Sequence, residues 1–269
     1  VIDVKKKADV YYKFRQEELR EIDDSRAPGT EANEIEWDLD NEPYLAETYA
    51  LRYLLPDEIV ENADIPVRPR VTTTKKLTRF LQLGWERRVQ AIAQDTAQIT
   101  ETFTPGTKWD AASGQNPEKD IDNAKRRIRR NCGVEPNALL MNAETCDAVK
   151  SWLKITAYTE YKEWLAVGKL PDELWDMELI KAKAIQNTAK RGQADVKANI
   201  WTDKCLVFYK EAEPSLEAMS LGYTIRSRRW RVKDWREEGR EGQMYETSVI
   251  QDEVLVAADA GCIIDDVLT

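Results

Sequence analysis

Between Val71 and Thr100 the apolar residues Leu77, Phe80, Leu81, Gly84, Trp85, Val89 and Ile92 recur at intervals of three, four and seven. That is the period of a helix with one apolar stripe. Lys75, Lys76, Arg79, Gln82, Glu86, Arg87 and Gln90 fall mostly on the other side. Pro66 and Pro69 stand before the run and Pro105-Gly106 after it, where they bound a helix without breaking it. The spacing predicts one rod of roughly 40 Å, more than about twice the ordinary helix length. Such a rod crosses a whole domain or braces something larger; the plainer reading is a long core helix.

The pattern elsewhere divides the chain. Residues 1–29 mix short charged blocks with one aromatic patch, Tyr11, Tyr12 and Phe14, and read as an arm with little to pack on in its own chain. A short helix is expected over Arg15–Ile22, ended by the turn residues of Arg26-Ala27-Pro28-Gly29. From Thr30 the period becomes two: Ile35, Trp37 and Leu39 alternate with Glu34, Glu36, Asp38 and Asp40. Asn41-Glu42-Pro43 is expected to turn the chain, and Tyr49, Leu51 and Tyr53 alternate on the way back, a β-hairpin pattern. A lone ribbon is marginal in water, so this hairpin packs on its own domain or on a partner. Pro56–Ala63 predicts a short helix with acids at its positive end.

After a polar stretch over Phe103–Pro117, Ile121, Ala124, Ile128 and Cys132 line one face of a helix that Gly133 ends. Ala138–Met141 predicts a buried strand, with Asn142 capping a following helix that turns Ala148, Val149 and Trp152 inward. A third helical piece covers Tyr158–Val167. Strands are expected over Glu178–Ala189 and Asn199–Tyr209 around the loop tip Lys190–Gln193. Helix, strand and helix in close succession mean a mixed sheet with helical cover, an α+β arrangement. Met244–Ile250, Glu253–Ala257 and Cys262–Leu268 read as strands returning to lie beside the long helix.

Composition narrows the chemistry. With 269 residues, 33% charged and a net charge of −9, the chain can bury a real core, and its acidity opposes general affinity for nucleic acid or anionic membranes. No apolar run is long enough to span a bilayer. The first ten residues hold three lysines and two aspartates, so no signal peptide is expected there. The absence of histidine removes imidazole bases and most zinc sites. Cys132, Cys146, Cys205 and Cys262 are scattered and read as reduced, mostly buried thiols of a cytosolic product. Nine tryptophans against four phenylalanines favour surfaces that meet others, or a tryptophan-rich core.

Candidate chemistry is thin. There is no phosphate-binding glycine motif and no nucleophile elbow. Asp120 with Asp122, or Asp265 with Asp266, would suit acid–base work or magnesium; a helix-terminal acid and a surface turn are the plainer readings. Arg126–Arg130 reads as a solvated or interface helix face. Arg226, Arg228, Arg229, Arg231 and Lys233 around Trp230 offer a nucleic-acid stripe or, with Asp234, Glu237, Glu238 and Glu241 beside them, inter-subunit salt bridges.

Several segments, in this order, resemble tailed-bacteriophage major capsid proteins, whose shell fold is shared with encapsulins. They are VYYKF before RAPGTEA (26–32), YALRYLLPDEIVENAD (49–64), PNALLMNAETCDAVK (136–150), QNTAKRGQADVKANIWTDKCLVFYK (186–210) and LGYTIR (221–226). None is a catalytic signature, so number and order carry the likeness. The resemblance implies an N-terminal arm (1–29), an extended hairpin or E-loop (30–55), a peripheral domain with the spine helix (56–116), an axial domain (117–232) and return strands of the peripheral domain (233–269). It implies a non-enzymatic shell protein without cofactors, assembling with itself into hexamers and pentamers of an icosahedral virion, formed in the host cytoplasm. Scaffold, portal and decoration proteins and non-specifically contacted double-stranded DNA are its implied partners; a membrane is not. Residues expected at contacts between subunits are Tyr11, Phe14, Trp37, Tyr49, Tyr53, Arg79, Lys190, Arg191, Arg228 and Trp230. Some relatives cross-link a hairpin lysine to a neighbour's asparagine; no lysine lies between Thr30 and Tyr53, so no such bond is expected here. Two other readings stay open: an encapsulin-type compartment around a cargo enzyme, and a monomeric hydrolase or transferase working through a buried, perturbed carboxylate.

Overall fold

The computed structural model describes residues 1–13, 24–26, 29, 31–32, 41–62, 68–156, 160–190, 192–216 and 218–269. The described elements run β1 (Ile2–Asp3), β2 (Ala8–Tyr12), β3 (Asn41–Leu45), β4 (Glu47–Pro56), α1 (Asp57–Glu61), α2 (Pro69–Ala93), β5 (Thr102–Phe103), α3 (Pro117–Cys132), β6 (Ala138–Asn142), α4 (Ala143–Ile155) and α5 (Lys162–Ala166). There follow β7 (Glu173–Leu174), β8 (Met177–Ala182), β9 (Ile185–Asn187), β10 (Lys197–Asn199), β11 (Cys205–Phe208), β12 (Gly222–Glu237), β13 (Gly242–Leu255) and β14 (Gly261–Ile264).

The long helix is present, but it is α2, 25 residues from Pro69 to Ala93. Pro69 occupies its first turn, where a missing N–H costs nothing. It stops short of Thr100 because Gln94 is buried and held: its Oε1 accepts from Thr202 N–H (3.2 Å) and its Nε2 donates to the Lys204 carbonyl (3.3 Å). Asp95 then accepts the Ala97 N–H on its side chain (2.9 Å), offering the backbone a turn in place of a helical bond.

Two sheets meet α2. A four-stranded sheet, ordered β1-β12-β13-β4, lies along it from Leu77, packed with Leu55 and Tyr245, to Arg88, bonded to Glu253. There β12 and β13 form a long antiparallel ribbon, and β4 pairs with β13 from Gln251–Glu47 to Gly242–Pro56. Glycine is required at 242, since a Cβ would sit 2.8 Å from the Leu55 carbonyl oxygen. The second sheet is mixed, ordered β5-β14-β11-β6-β8-β7. Alternation sends Leu139, Met141, Cys205, Val207, Cys262 and Ile264 to one face, under α3 and α4. Leu140, Leu206 and Ile263 go to the other face, with Leu83, Val89 and Ala93 of α2. One helix therefore braces both sheets. α3 ends at Gly133 as its sequence predicts, with φ 70°, and the structure adds an N-cap in which Asn116 accepts the Lys119 N–H (3.1 Å). Asn142 likewise accepts the Thr145 N–H at the start of α4 (2.7 Å).

Several expectations change. Residues 1–13 do not lie free of their own chain: β1 runs parallel to β12, β2 pairs with β3, and Ile2 and Tyr11 are buried with Tyr44, Tyr223 and Ile225. Asn41-Glu42-Pro43 is strand β3, not a turn, because Val10, Tyr11 and Tyr12 lie opposite it. β4 takes the own-domain option left open for the hairpin. Met244–Ala257 is nearly all one strand, β13, beside α2 as expected; Cys262–Leu268 does not join that sheet, since β14 sits between β11 and β5 in the second one, where Ile263 packs with Leu83, Val89 and Ala93 of α2. β12 belongs to the first sheet, so the second sheet's share of 117–232 ends before Gly222. The strand expected over 178–189 divides into β8 and β9, and that over 199–209 into β10 and β11. The expected helix over 15–22 and the first hairpin strand (34–40) lie outside the described residues.

Candidate assembly surfaces

Along α2 the N-terminal half buries Thr73, Leu77 and Leu81 and leaves Phe80 59% exposed, so the apolar stripe is narrower than its sequence predicts. Arg79, with Lys75 and Lys76, points to solvent. Farther along, Trp85 is half-buried; its Nε1 donates to Thr224 Oγ1 (3.2 Å), and Arg226 lies over its ring at 5.8 Å. Arg88 covers the ring of Tyr49 at 3.5 Å, and burial raises the pKa of that phenol. Tyr53, 48% exposed, lines a groove between β4, α1 and α2.

The basic stretch on β12 is not a continuous stripe. Register shifts between Arg226 and Arg228, and between Arg228 and Arg231, break its alternation. Arg226 turns to Trp85 and Gln251, and Arg229 bridges Asp3 (2.9 Å). Arg228 is half-buried with its Nε enclosed and without a partner among the described residues. Trp230 is half-buried at the second irregularity. On α3, Arg127 pairs with Glu101 (3.2 Å) and Arg129 with Glu135 (2.7 Å), as an ordinary charged helix face does.

The carboxylate pairs do not converge. Asp120 accepts from Trp109 Nε1 (2.9 Å), and burial raises its pKa against that bond. It lines a pocket of about 330 Å³ that holds no second acid. Asp265 pairs with Lys204 (3.4 Å), and Asp266 with Lys108. Among the described residues no cluster of acids and thiols is placed to hold a metal, and no helix is long and apolar enough to cross a membrane.

What remains is a braced scaffold with surface grooves and half-buried aromatics, and solved structures share its fold. A phage-related protein from Bordetella bronchiseptica RB50 superposes with a TM-score of 0.73 at 23% identity, covering 99% of this chain and 89% of that one. The capsid of cyanophage P-SCSP1u gives 0.67 at 11% identity, covering 98% and 84%. This chain has the shell fold of phage capsids. An encapsulin from Synechococcus elongatus PCC 7942 gives 0.54 at 12% identity, covering 98% and 84%, so the shell fold extends to that class. No protein-family profile matches the chain. In sequence it is homologous to the major capsid protein of Burkholderia phage BcepMu, 23% identical over 284 aligned positions, spanning 99% of this chain and 89% of the relative.

Within the shell fold, the residues expected at contacts scatter. Lys190 is exposed at the tip of the β9–β10 hairpin, Arg79 on α2, and Tyr53 on the groove. Tyr49 is largely occupied by Arg88. Tyr11 is 5% exposed, its hydroxyl donating to Glu42 Oε2 (2.9 Å), so it is a core residue of its own chain. Phe14, Trp37 and Arg191 lie outside the described residues. Sequence reading missed the exposure of Ile59 and Phe80; the only signal was their place at the edge of a helical stripe.

Proposed function

We propose that this chain is a phage major capsid protein that self-assembles into hexamers and pentamers of an icosahedral head enclosing the genome. The observation that carries this reading is the end-to-end match, 99% of the chain, to a curated major capsid protein. The role is structural: each subunit makes modest contacts many times, and closure of the lattice makes them stable together. No catalysis is assigned. With β3 and β4 paired inside their own chain, the part of the 30–55 region left to reach neighbours is 30–40; α2 serves as the spine and Lys190–Gln193 as an axial loop. Scaffold, portal and decoration proteins and non-specifically held double-stranded DNA are its partners, with assembly in the host cytoplasm. The lack of a lysine between Thr30 and Tyr53 supports a shell without a lysine cross-link from that hairpin.

The likeness to an encapsulin supports a second reading, a cellular compartment with the same shell. Electron microscopy of the purified protein tests both. Closed particles are expected, filled with nucleic acid in a phage setting and with a cargo enzyme in the other. A chain that stays monomeric at every concentration and salt would overturn both. Denaturing electrophoresis of mature particles should show monomer alone.

A further inference from the structure

A groove of about 910 Å³ separates the end of β4 and α1 from the first half of α2. Tyr53, Ile59 and Phe80 line it and are 48%, 48% and 59% exposed. Scattered apolar side chains on a surface are ordinary, but three converging on one concavity form a patch. Its two rims carry opposite charge. On the α2 side Arg68, Arg70, Lys75, Lys76 and Arg79 are all exposed, and no acid occurs between Arg68 and Trp85. None of these five cations forms an ion pair among the described residues. On the α1 side Glu58 and Glu61 are exposed. The turn from β12 to β13 brings Glu238 and Glu241 beside them: the Asp57 N–H donates to the Glu241 carbonyl (3.0 Å), and Arg236 bridges Asp57 (2.6 Å). Lys76 and Glu58 line the same groove without pairing, so the groove holds the charges apart.

We propose that this face docks a second copy of the chain, the basic half of α2 in one copy meeting the acidic corner of the other, with Tyr53, Ile59 and Phe80 enclosed between them. The inference rests on the shell reading and names one of its contacts. An apolar centre inside a charged rim is the anatomy of a protein–protein contact. A surface bearing both signs side by side complements itself, and opposite charge fixes register and speeds encounter. A nucleic acid would use the cations alone; the acidic corner repels it, and Ile59 and Phe80 give it nothing.

The test is charge reversal on each rim. The pair Lys76→Glu with Arg79→Glu, and the pair Glu58→Lys with Glu238→Lys, each cancel most of the charge on one rim and so remove the contrast between the two. All four side chains are exposed, so thermal midpoints should stay near wild type. At low salt each variant alone is expected to lose particle yield about tenfold or more. An equimolar mixture of the two carries opposite faces on different molecules and should recover particles, read by sedimentation and microscopy. If wild type assembles while either variant assembles equally well, or if the mixture does no better than its components, the contact is wrong and the shell reading stands. If only the α2 reversal matters, and what it removes is nucleic acid retained in the particles, the face belongs to the genome and the proposal falls. A wild-type chain that never assembles overturns both this contact and the shell reading.

Discussion

Arg88 on α2 grips Glu253 on β13 with two bonds, Nε to Oε2 at 2.8 Å and Nη2 to Oε1 at 3.2 Å. The Glu253 side chain is only 6% exposed and also accepts from Gln251 Nε2 (2.8 Å). Two parallel bonds fix the angle between a helix and a strand in a way that apolar packing does not. Removing one partner strands the other charge away from water. Arg88→Ala should therefore cost about 3 kcal/mol, against less than about 1 kcal/mol for an exposed pair. Urea unfolding of Arg88→Ala beside Arg229→Ala, whose partner Asp3 is solvated, checks the contrast. Equal losses would mean the buried pair does no more than a surface one.

Trp85 supplies the packing beside that clamp. Its ring lies between the helix and β12, and its indole N–H is bonded to Thr224. Trp85→Ala should cost about 3 kcal/mol through the cavity it leaves. Trp85→Phe keeps most of the ring contact and loses one hydrogen bond, about 1 kcal/mol. Chemical denaturation should rank wild type, Phe and Ala in that order. If Phe proved as damaging as Ala, the bond to Thr224 would be the main contribution.

What the sequence made legible follows from how far each signal reaches. The caps of α3 and α4 were readable because Gly133, Asn142 and their partners lie within one turn of each other. The inward faces of α3 were readable because period is local. The destination of Cys262–Leu268 was not: an apolar strand carries no mark of its neighbour, and β11 and β5 lie far away in the chain. Asn41-Glu42-Pro43 has turn chemistry, and β2, supplied by a distant segment, overrode it. The site was less legible than the fold. Tyr11 looked like a contact residue by type, and burial inside its own chain uses it up. Phe80 looked like core by period, yet the sheet beneath does not reach it.

The N-terminal strands give a further expectation. Ile2 and Tyr11 are buried against Tyr44, Tyr223 and Ile225, and the Tyr11 hydroxyl bonds Glu42. At roughly 2 kcal/mol for each buried apolar side chain, deleting residues 1–13 should cost about 4 kcal/mol of fold stability before any effect on assembly. A strap that served only neighbours would cost the isolated subunit nothing. The unfolding midpoint of the truncated subunit, measured below its assembly concentration, separates the two. An unchanged midpoint would return these residues to a purely inter-subunit role.

Three thiols set an alkaline limit on the fold. Burial raises Cys146 to about 11 and Cys262 to about 12 from an ordinary 9.0, and raises Cys205 well above it. A raised pKa means the folded state holds the proton more tightly than the unfolded chain does. The resulting stability is fully present below pH 9 and drains away as the pH climbs toward the folded values. By pH 11 Cys146 and Cys262 should each have withdrawn about 2 kcal/mol. Tyrosines and lysines also titrate there, so the comparison is with a Cys146→Ala, Cys262→Ala variant. That variant starts lower because two small cavities open. Its stability should fall less steeply than wild type between pH 9 and 11 in urea titrations. Parallel slopes would show that the thiols are not what limits the protein in alkali. The same burial predicts that a thiol reagent at neutral pH labels half-buried Cys132 first, and the other three only on unfolding.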